Sequence, residues 1–461
     1  MAHAETDDLI ETFKRALDDM LARVFVSAVG RPAPVIAVAY SGGLDSSVLL
    51  HLAQAYAVKH GISLFAFHVH HGLSPNADAW LAHCEGVCAS RQIAFAARKV
   101  HVAKDDGRGL EAAARVARYG ALGVLGRQHG VKLLLTAHHL DDQAETVLLQ
   151  MLRGAGLAGI SGMEALSTAP ELLGDGNVAI GRPLLPVRRV ELSAWIADAG
   201  FSFVEDESNR NVHHPRNALR NAVLPLLATH FPAYAACLAR GAQHAQAAQR
   251  LLDELALQDC AACQDGEGLD AERVGRLSDD RVANLLRHWL TRQGLRPPST
   301  AWLEEACMQL LGAREDAQAC VKWADREVRR YRNRIVIMPA QVHTYAEPIV
   351  FQWQGEPSIR MPAFNGTLYF DKREQGLEAE WLRNQRLRLQ YRTGGEQLKL
   401  ALNRPGKTLK EWYQERAIPA WERPTLPLLY ADTALLFAAA IGQDCRLPSA
   451  APGVRLRWVA D

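Results

Sequence analysis

A short apolar run, Val35-Ile36-Ala37-Val38-Ala39-Tyr40, enters Ser41-Gly42-Gly43-Leu44-Asp45-Ser46-Ser47 and leaves as the helical pattern Val48-Leu49-Leu50-His51-Leu52-Ala53. The stretch therefore reads as a glycine-rich turn from a buried strand into a helix. Adjacent glycines let the backbone take positive φ and approach a ligand closely. The free N–H groups of the first helical turn make such a turn an anion site. The phosphate chain of a nucleotide is the ligand this predicts. A Walker A loop is excluded, because that motif needs a lysine and none lies between Arg31 and Lys59. The plain alternative is a serine-capped turn with no ligand.

At 461 residues the chain is long enough for two or three domains. An apolar share of 48% and a charged share of 22% are ordinary for a globular protein. A net charge of +1 places any basic, nucleic-acid-binding surface locally rather than globally. Eight cysteines in this length are no disulfide framework and fit a reducing cytoplasm. The acidic amphipathic start (Glu5, Asp7, Asp8, Glu11) does not read as a secretory signal. The run from Ala434 to Ile441 is too short to span a bilayer. No membrane attachment and no stable protein partner are expected.

Along the chain, residues 1–30 predict an opening helix. Strands and helices then alternate, with strands at 35–40, 63–69, 93–100 and 131–137. This predicts an α/β fold, a doubly wound parallel sheet with helices on both faces. In such sheets ligands lie beyond the carboxyl ends of the strands. The loop at Ser41, the His68–His71 segment and the His138–Asp142 segment all fall there. Residues 154–190, rich in Gly and Pro, read as a long, partly ordered loop. Composition shifts divide the chain into 1–230, a mainly helical 233–340, and a C-terminal 357–461. A hairpin is expected over Val321–Met338. From Arg383 to Arg423 the chain carries seven Arg and three Lys against four Glu, with Trp412, Tyr413 and Trp421 among them. Basic residues with aromatics suit phosphate contact and base stacking; a charged face over core aromatics is the alternative.

The densest chemistry after the loop is Thr136-Ala137-His138-His139-Leu140-Asp141-Asp142-Gln143-Ala144-Glu145. Asp141 is placed to cap the helix that starts there. Asp142 and Glu145 share a helix face, with His138 just before it. Such a pair suits Mg²⁺ or the ammonium of an amine, or it merely complements the helix N-terminus. Arg115 and Arg118 share another helix face and suit phosphate or carboxylate. His68, His70 and His71 lack an adjacent fourth zinc ligand. Cys260 and Cys263, in an alanine-rich helix, read as core or surface cysteines.

The loop resembles the pyrophosphate-binding SGGxDS loop of the N-type ATP pyrophosphatases, which have an adenine-nucleotide alpha-hydrolase-like fold. The whole chain is similar to the tRNA(Ile)-lysidine synthetase family. SGGLDSS, HVHHGLS, ARVARYGAL, RPLL, EDESNR and RNALRN carry the resemblance. More specific are Arg153–Met163 within TAHHLDDQAETVLLQMLRGAGLAGISGM, and LKEWYQERAIPAWERPTLPLLY. The resemblance implies a helical domain and a small α/β C-terminal domain after the catalytic one. It implies a C–N ligase joining free L-lysine to C2 of the wobble cytidine in the CAU anticodon of an isoleucine tRNA, with ATP and Mg²⁺. It places ATP at Ser41, Gly42, Gly43, Leu44, Asp45, Ser46 and Arg115, and Mg²⁺ at Asp45. It makes Asp45, His138, Asp142 and Glu145 catalytic. Arg216, Asn217 and Arg220, with Lys407, Lys410 and Arg416, become RNA contacts. The rivals are a tRNA thiolase, for which only Cys84 and Cys88 are available in the first domain, a small-molecule amide synthetase, and a binding-only loop domain.

Overall fold

The computed structural model describes residues 2–25, 33–72, 74–102, 110–205, 215–295, 298–312, 319–340, 346–403 and 405–461. Leu73, Asp206–Arg210 and Arg404, which enter the sequence argument, lie outside them. The chain forms two compact units, 1–252 and 253–461.

In the first unit the opening helix is α1 (Ala2–Val24). Strand β1 (Val35–Ala39) turns into α2 (Leu44–His60), and β2 (Ser63–His70), α3 (Ala77–Ser90), β3 (Ala94–Lys99), α4 (Leu110–Gln128), β4 (Leu133–Leu135) and α5 (Leu140–Leu152) follow. The alternating side chains of β1 explain the layering. Ile36 and Val38 enter a core shared with Leu9, Phe13 and Leu17 of α1, Leu49 of α2 and Leu192 and Ile196 farther on. Ala37 faces a second core with Tyr119, Leu122 and Leu125 of α4. A strand buried on both faces must be apolar throughout.

The expected loop at 154–190 is a correction. It holds α6 (Leu157–Ile160), β5 (Leu166–Thr168), α7 (Pro170–Leu173) and β6 (Ala179–Gly181). The sheet runs β3-β2-β1-β4-β6-β5. β6 lies parallel to β4, and β5 closes the edge antiparallel. Three-residue strands are too short to show a period.

After α8 (Arg189–Ala199) come α9 (Pro215–Ala218), a π-helical turn at Leu219–Val223, α10 (Leu224–His230) and the long α11 (Tyr234–Cys263). Pro225 explains the π turn. Proline's ring clashes with the carbonyl four residues back and offers it no N–H. The chain widens there, and Leu224 N donates to Leu219 O. Among the described residues, no single helix is long and apolar enough to cross a membrane.

The second unit begins with a five-stranded antiparallel sheet, β7-β8-β11-β10-β9. Its strands are β7 (Gln264–Asp265), β8 (Gly268–Asp270), β9 (Cys320–Trp323), β10 (Arg326–Tyr331) and β11 (Arg334–Pro339). They pack on α12 (Ala271–Gly275), α13 (Asp279–Arg292) and α14 (Thr300–Gly312). The expected hairpin is β10–β11, and Cys260 and Cys263 are buried in this core. The C-terminal part is mostly antiparallel β. One sheet joins β12 (Ile349–Phe351), β16 (Leu387–Gln390), β19 (Leu428–Ala431), β20 (Ala434–Ala438) and β21 (Gly442–Gln443). The other joins β13 (Ser358–Met361), β14 (Gly366–Arg373), β15 (Gly376–Leu377), β22 (Ser449–Ala450) and β23 (Gly453–Ala460). Two helices, α15 (Ala379–Arg383) and α16 (Leu409–Glu415), and the pair β17 (Gln397–Leu398) and β18 (Lys407–Thr408) complete it.

Of the two readings of Trp412, Tyr413 and Trp421, the structure bears out core aromatics under a charged face: all three are buried. Trp412 Nε1 donates to Leu398 O. Trp421 meets Tyr331 of the hairpin edge to face, and Arg329 lies over its ring. Tyr331 Oη donates to Ile418 O at 3.2 Å and Arg332 Nη2 to Gln414 O at 2.7 Å. The aromatic part of the KEWYQERAIPAWER motif thus packs the core and docks the hairpin tip.

Candidate active site

The phosphate loop is braced by its own serines. Ser46 Oγ donates to Gly43 O at 3.0 Å and lies 3.0 Å from Ser41 Oγ. Ser47 Oγ donates to Gly42 O. Leu44 is the first residue of α2 and Gly43 its N-cap.

The two glycines differ in their reasons. Gly42 has φ +86°, and a Cβ there would meet Val204 Cγ2 at 2.8 Å and Cys84 Sγ at 2.9 Å. Gly43 is extended (φ −73°, ψ 164°), and a Cβ there would touch nothing nearer than Ser41 Oγ at 3.5 Å. The fold therefore requires glycine at 42, whereas neither backbone conformation nor packing requires it at 43. Gly42→Ala is expected to cost about 2–5 kcal/mol in urea denaturation, the sum of a left-handed alanine and overpacking. Gly43→Ala is expected to stay within about 1 kcal/mol of the parent while losing ATP turnover.

Asp45 faces the start of α5 from the loop. His139 Nε2 lies 3.9 Å from Asp45 Oδ2 and 3.3 Å from Asp142 Oδ2. Arg189 Nε stands 3.5 Å from Asp45 Oδ1. The N-cap of α5 is His139, not Asp141. His139 Nδ1 accepts from Asp142 N, and Asp142 Oδ2 accepts from His139 N. Asp141 instead accepts from Arg189 N at 2.8 Å, at the first turn of α8. Burial raises the Asp45 carboxyl above the usual range, against the pull of His139 and Arg189. Burial also acts to raise Asp142, but His139, His138, Arg220 and Arg216 outweigh it and hold that carboxyl low.

Glu145 is 1% exposed and is gripped by two guanidiniums. Arg216 Nε donates to Oε2 at 3.0 Å; Arg220 Nε donates to Oε1 at 2.5 Å and Nη2 to Oε2 at 2.9 Å. Arg220 Nη2 also reaches Asp142 Oδ1 at 2.8 Å. Glu145 raises the Arg220 guanidinium above its ordinary value, against burial. Arg216 and Arg220 thus sit on the carboxylates, with half-buried Asn217 on the turn between. A carboxylate pair open to an incoming cation is not what the structure shows. His138 is half-buried, and burial pushes it down to about 3. Its Nδ1 is 2.9 Å from Thr136 Oγ1. The charges of Arg182, Arg115 and Arg118 act on it in the same direction as burial. Arg115 lies with its guanidinium 4.9 Å from the Tyr119 ring centre. His139, Arg189 and Arg182 were missed by sequence reasoning. Only the second histidine of His138-His139, standing where a cap is needed, gave a signal.

The other candidates disperse. His68 Nδ1 lies 3.0 Å from Tyr40 O and His70 Nε2 lies 3.2 Å from Asp78 Oδ1. Among the described residues no group of three His, Cys, Asp or Glu side chains converges for a metal. Cys84 and Cys88 are buried, and burial pushes their thiols up to about 12 and about 11. In the second unit Lys407 pairs with Glu415 at 2.7 Å, while Lys410 and Arg416 are exposed.

A strand, an SGGxDS turn and a helix at the carboxyl edge of a mainly parallel sheet define an N-type ATP pyrophosphatase, or PP-loop, domain; the family profile described as a PP-loop domain matches residues 9–227. Two further profiles, a TilS substrate binding domain and a TilS substrate C-terminal domain, match 269–336 and 387–458. The chain belongs to the tRNA(Ile)-lysidine synthase family. The tRNA(Ile)-lysidine synthase of Ralstonia nicotianae is 42% identical over 441 residues, covering 92% of this chain and 93% of that one. That of Alkalilimnicola ehrlichii is 40% identical over 429 residues, covering 93% and 94%. A solved U34-tRNA thiolase of Methanococcus maripaludis aligns at 18% identity with a TM-score of 0.42, covering 52% of this chain and 80% of that one.

Proposed function

We propose that this chain is a cytoplasmic C–N ligase. It joins free L-lysine to C2 of the wobble cytidine in the CAU anticodon of an isoleucine tRNA. The observation that carries the reading, in a chain of this family, is the approach of phosphate-loop Asp45 to the Asp142–Glu145 network through one histidine.

Cytidine O2 is no leaving group. In the first step it attacks the α-phosphorus of ATP; the O–P bond forms, the α–β bond breaks and pyrophosphate departs. The N–H groups after Gly42 suit that departing anion. In the second step the lysine ε-amine attacks C2, the C2–O bond breaks, AMP leaves with the oxygen, and the amine loses its proton. The attacking amine must be neutral. His138, neutral near pH 7, acts by hydrogen bonding rather than by charge.

Mg²⁺ is the cation this chemistry implies. Asp45 fits it, since its buried Oδ1 receives no hydrogen bond among the described residues. Asp45 would hold the ion, which would neutralise charge on the triphosphate.

The proposed division of labour is catalysis by 1–230 and tRNA binding by 233–340 and 357–461. In the basic stretch several cations serve the protein itself. Arg388 and Arg392 lie over Tyr430 and Tyr413, and Arg423 Nε donates to Ile418 O. Lys410 and Arg416 are left facing outward, whereas Lys407 is tied to Glu415. Lys410→Glu with Arg416→Glu is expected to weaken tRNA affinity and to lower the salt slope of binding by about 1 per lost phosphate contact. An unchanged slope would remove these residues from the interface.

The reaction order is tested by omitting lysine. With ATP and tRNA alone, pyrophosphate is expected to appear while AMP stays on the RNA; adding lysine frees it. A thiolase would need reactive cysteines, and Cys84 and Cys88 are buried thiols.

A further inference from the structure

We propose that His139 is a positioning residue, holding the Asp45 carboxylate in register with Asp142 so that the phosphate loop and the α5 carboxylates act on one substrate. The proposal rests on the reading of Asp45 as part of the ATP site.

His139 is 1% exposed, and burying an imidazole beside two carboxylates needs a reason beyond capping. Its ring orientation is set by the backbone. Nδ1 accepts the Asp142 N–H at 3.3 Å, so that nitrogen carries no hydrogen and the ring proton sits on Nε2. Nε2–H is the edge that faces Asp142 Oδ2 at 3.3 Å and Asp45 Oδ2 at 3.9 Å. One side chain thus caps α5 with one nitrogen and sets the other between Asp142 and the Asp45 carboxylate of α2. On the far side, Arg189 approaches Asp45 Oδ1 at 3.5 Å, and its own N–H is held by Asp141 Oδ2 at 2.8 Å. Asp45 is therefore held between two groups that are both anchored on the first turn of α5. Capping alone would be met by serine or asparagine, the ordinary N-cap residues. Neither would reach Asp45.

The two functions separate by substitution. His139→Asn keeps a favoured N-cap acceptor for Asp142 N and removes Nε2–H; His139→Ala removes both. In His139→Asn, kcat for tRNA-dependent pyrophosphate release is expected to fall by about 10- to 100-fold, as for other residues that orient a ligating carboxylate. Its KM for ATP and its thermal midpoint are expected to stay near the parent's. His139→Ala should lose midpoint as well. Parental kcat in His139→Asn would overturn the proposal. So would a kcat loss shared by both variants only in proportion to their loss of midpoint, which is what a cap alone predicts. Asp45→Ala, run alongside, separates the two readings. If it leaves pyrophosphate release intact, the ATP-site reading fails. If it abolishes release while His139→Asn does not, only the positioning role fails.

Discussion

Glu145→Ala is expected to destabilise the first unit by about 3 kcal/mol, toward the lower end of what breaking a buried ion pair costs. The carboxylate is 1% exposed, while the Arg216 and Arg220 side chains are each 30% exposed. Removing it leaves two guanidiniums, which water reaches only partly, to share the single carboxylate of Asp142. Glu145→Gln keeps volume and some acceptor capacity, and should cost less. Urea denaturation measures both. The same network sets an acid limit. Asp142 is held low by His139, His138, Arg220 and Arg216 against burial, so its folded pKa lies below its unfolded one. Its contribution is fully present above the unfolded carboxylate value near about 3.9 and is lost as pH falls through the lower folded value. Midpoints measured from neutral pH downward should therefore hold until that range and then drop. Glu145→Ala should start lower.

Asp45→Asn is expected to do the opposite to stability and far more to activity. Burial raises the folded pKa of Asp45. Such a group's stabilising share is present below the unfolded pKa and lost as pH rises through the folded value, so above that value the ionised carboxylate is carried at a cost. The amide removes that cost. Arg189 loses a partner but is 48% exposed, where an ion pair is worth little. The variant should therefore be as stable as the parent or slightly more so. Pyrophosphate release should fall by about 100- to 1000-fold, the scale of losing one electrostatic group at the reacting phosphate. Stability gained with activity lost is the signature of a residue kept for function. A variant that loses both would make Asp45 structural.

How far the sequence carries this picture depends on the range of each interaction. The β1–loop–α2 unit was legible because a strand buried on both faces, a glycine pair and an apolar helix are all local signals. The short strands Leu166–Thr168 and Ala179–Gly181 were not, since three residues show no periodicity. Asp142 and Glu145 were placed correctly on one face of α5. Their guanidinium partners were not paired with them, because Arg216 and Arg220 lie 71 and 75 residues beyond Glu145. Trp412, Tyr413 and Trp421 were left between two readings. Aromatics among basic residues look like a nucleic-acid face, yet composition does not say which way a ring points, and these three point inward.

Lysine transfer to one tRNA is tested by incubating the purified chain with ATP, Mg²⁺ and radiolabelled lysine. Two transcripts share the CAU anticodon, an isoleucine tRNA and an elongator methionine tRNA. Label stably joined to the isoleucine tRNA alone is expected, and none with Asp45→Asn. Label on neither transcript, while ATP is still split to AMP and pyrophosphate, would contradict it: the PP-loop assignment would stand and lysine would not be the second substrate.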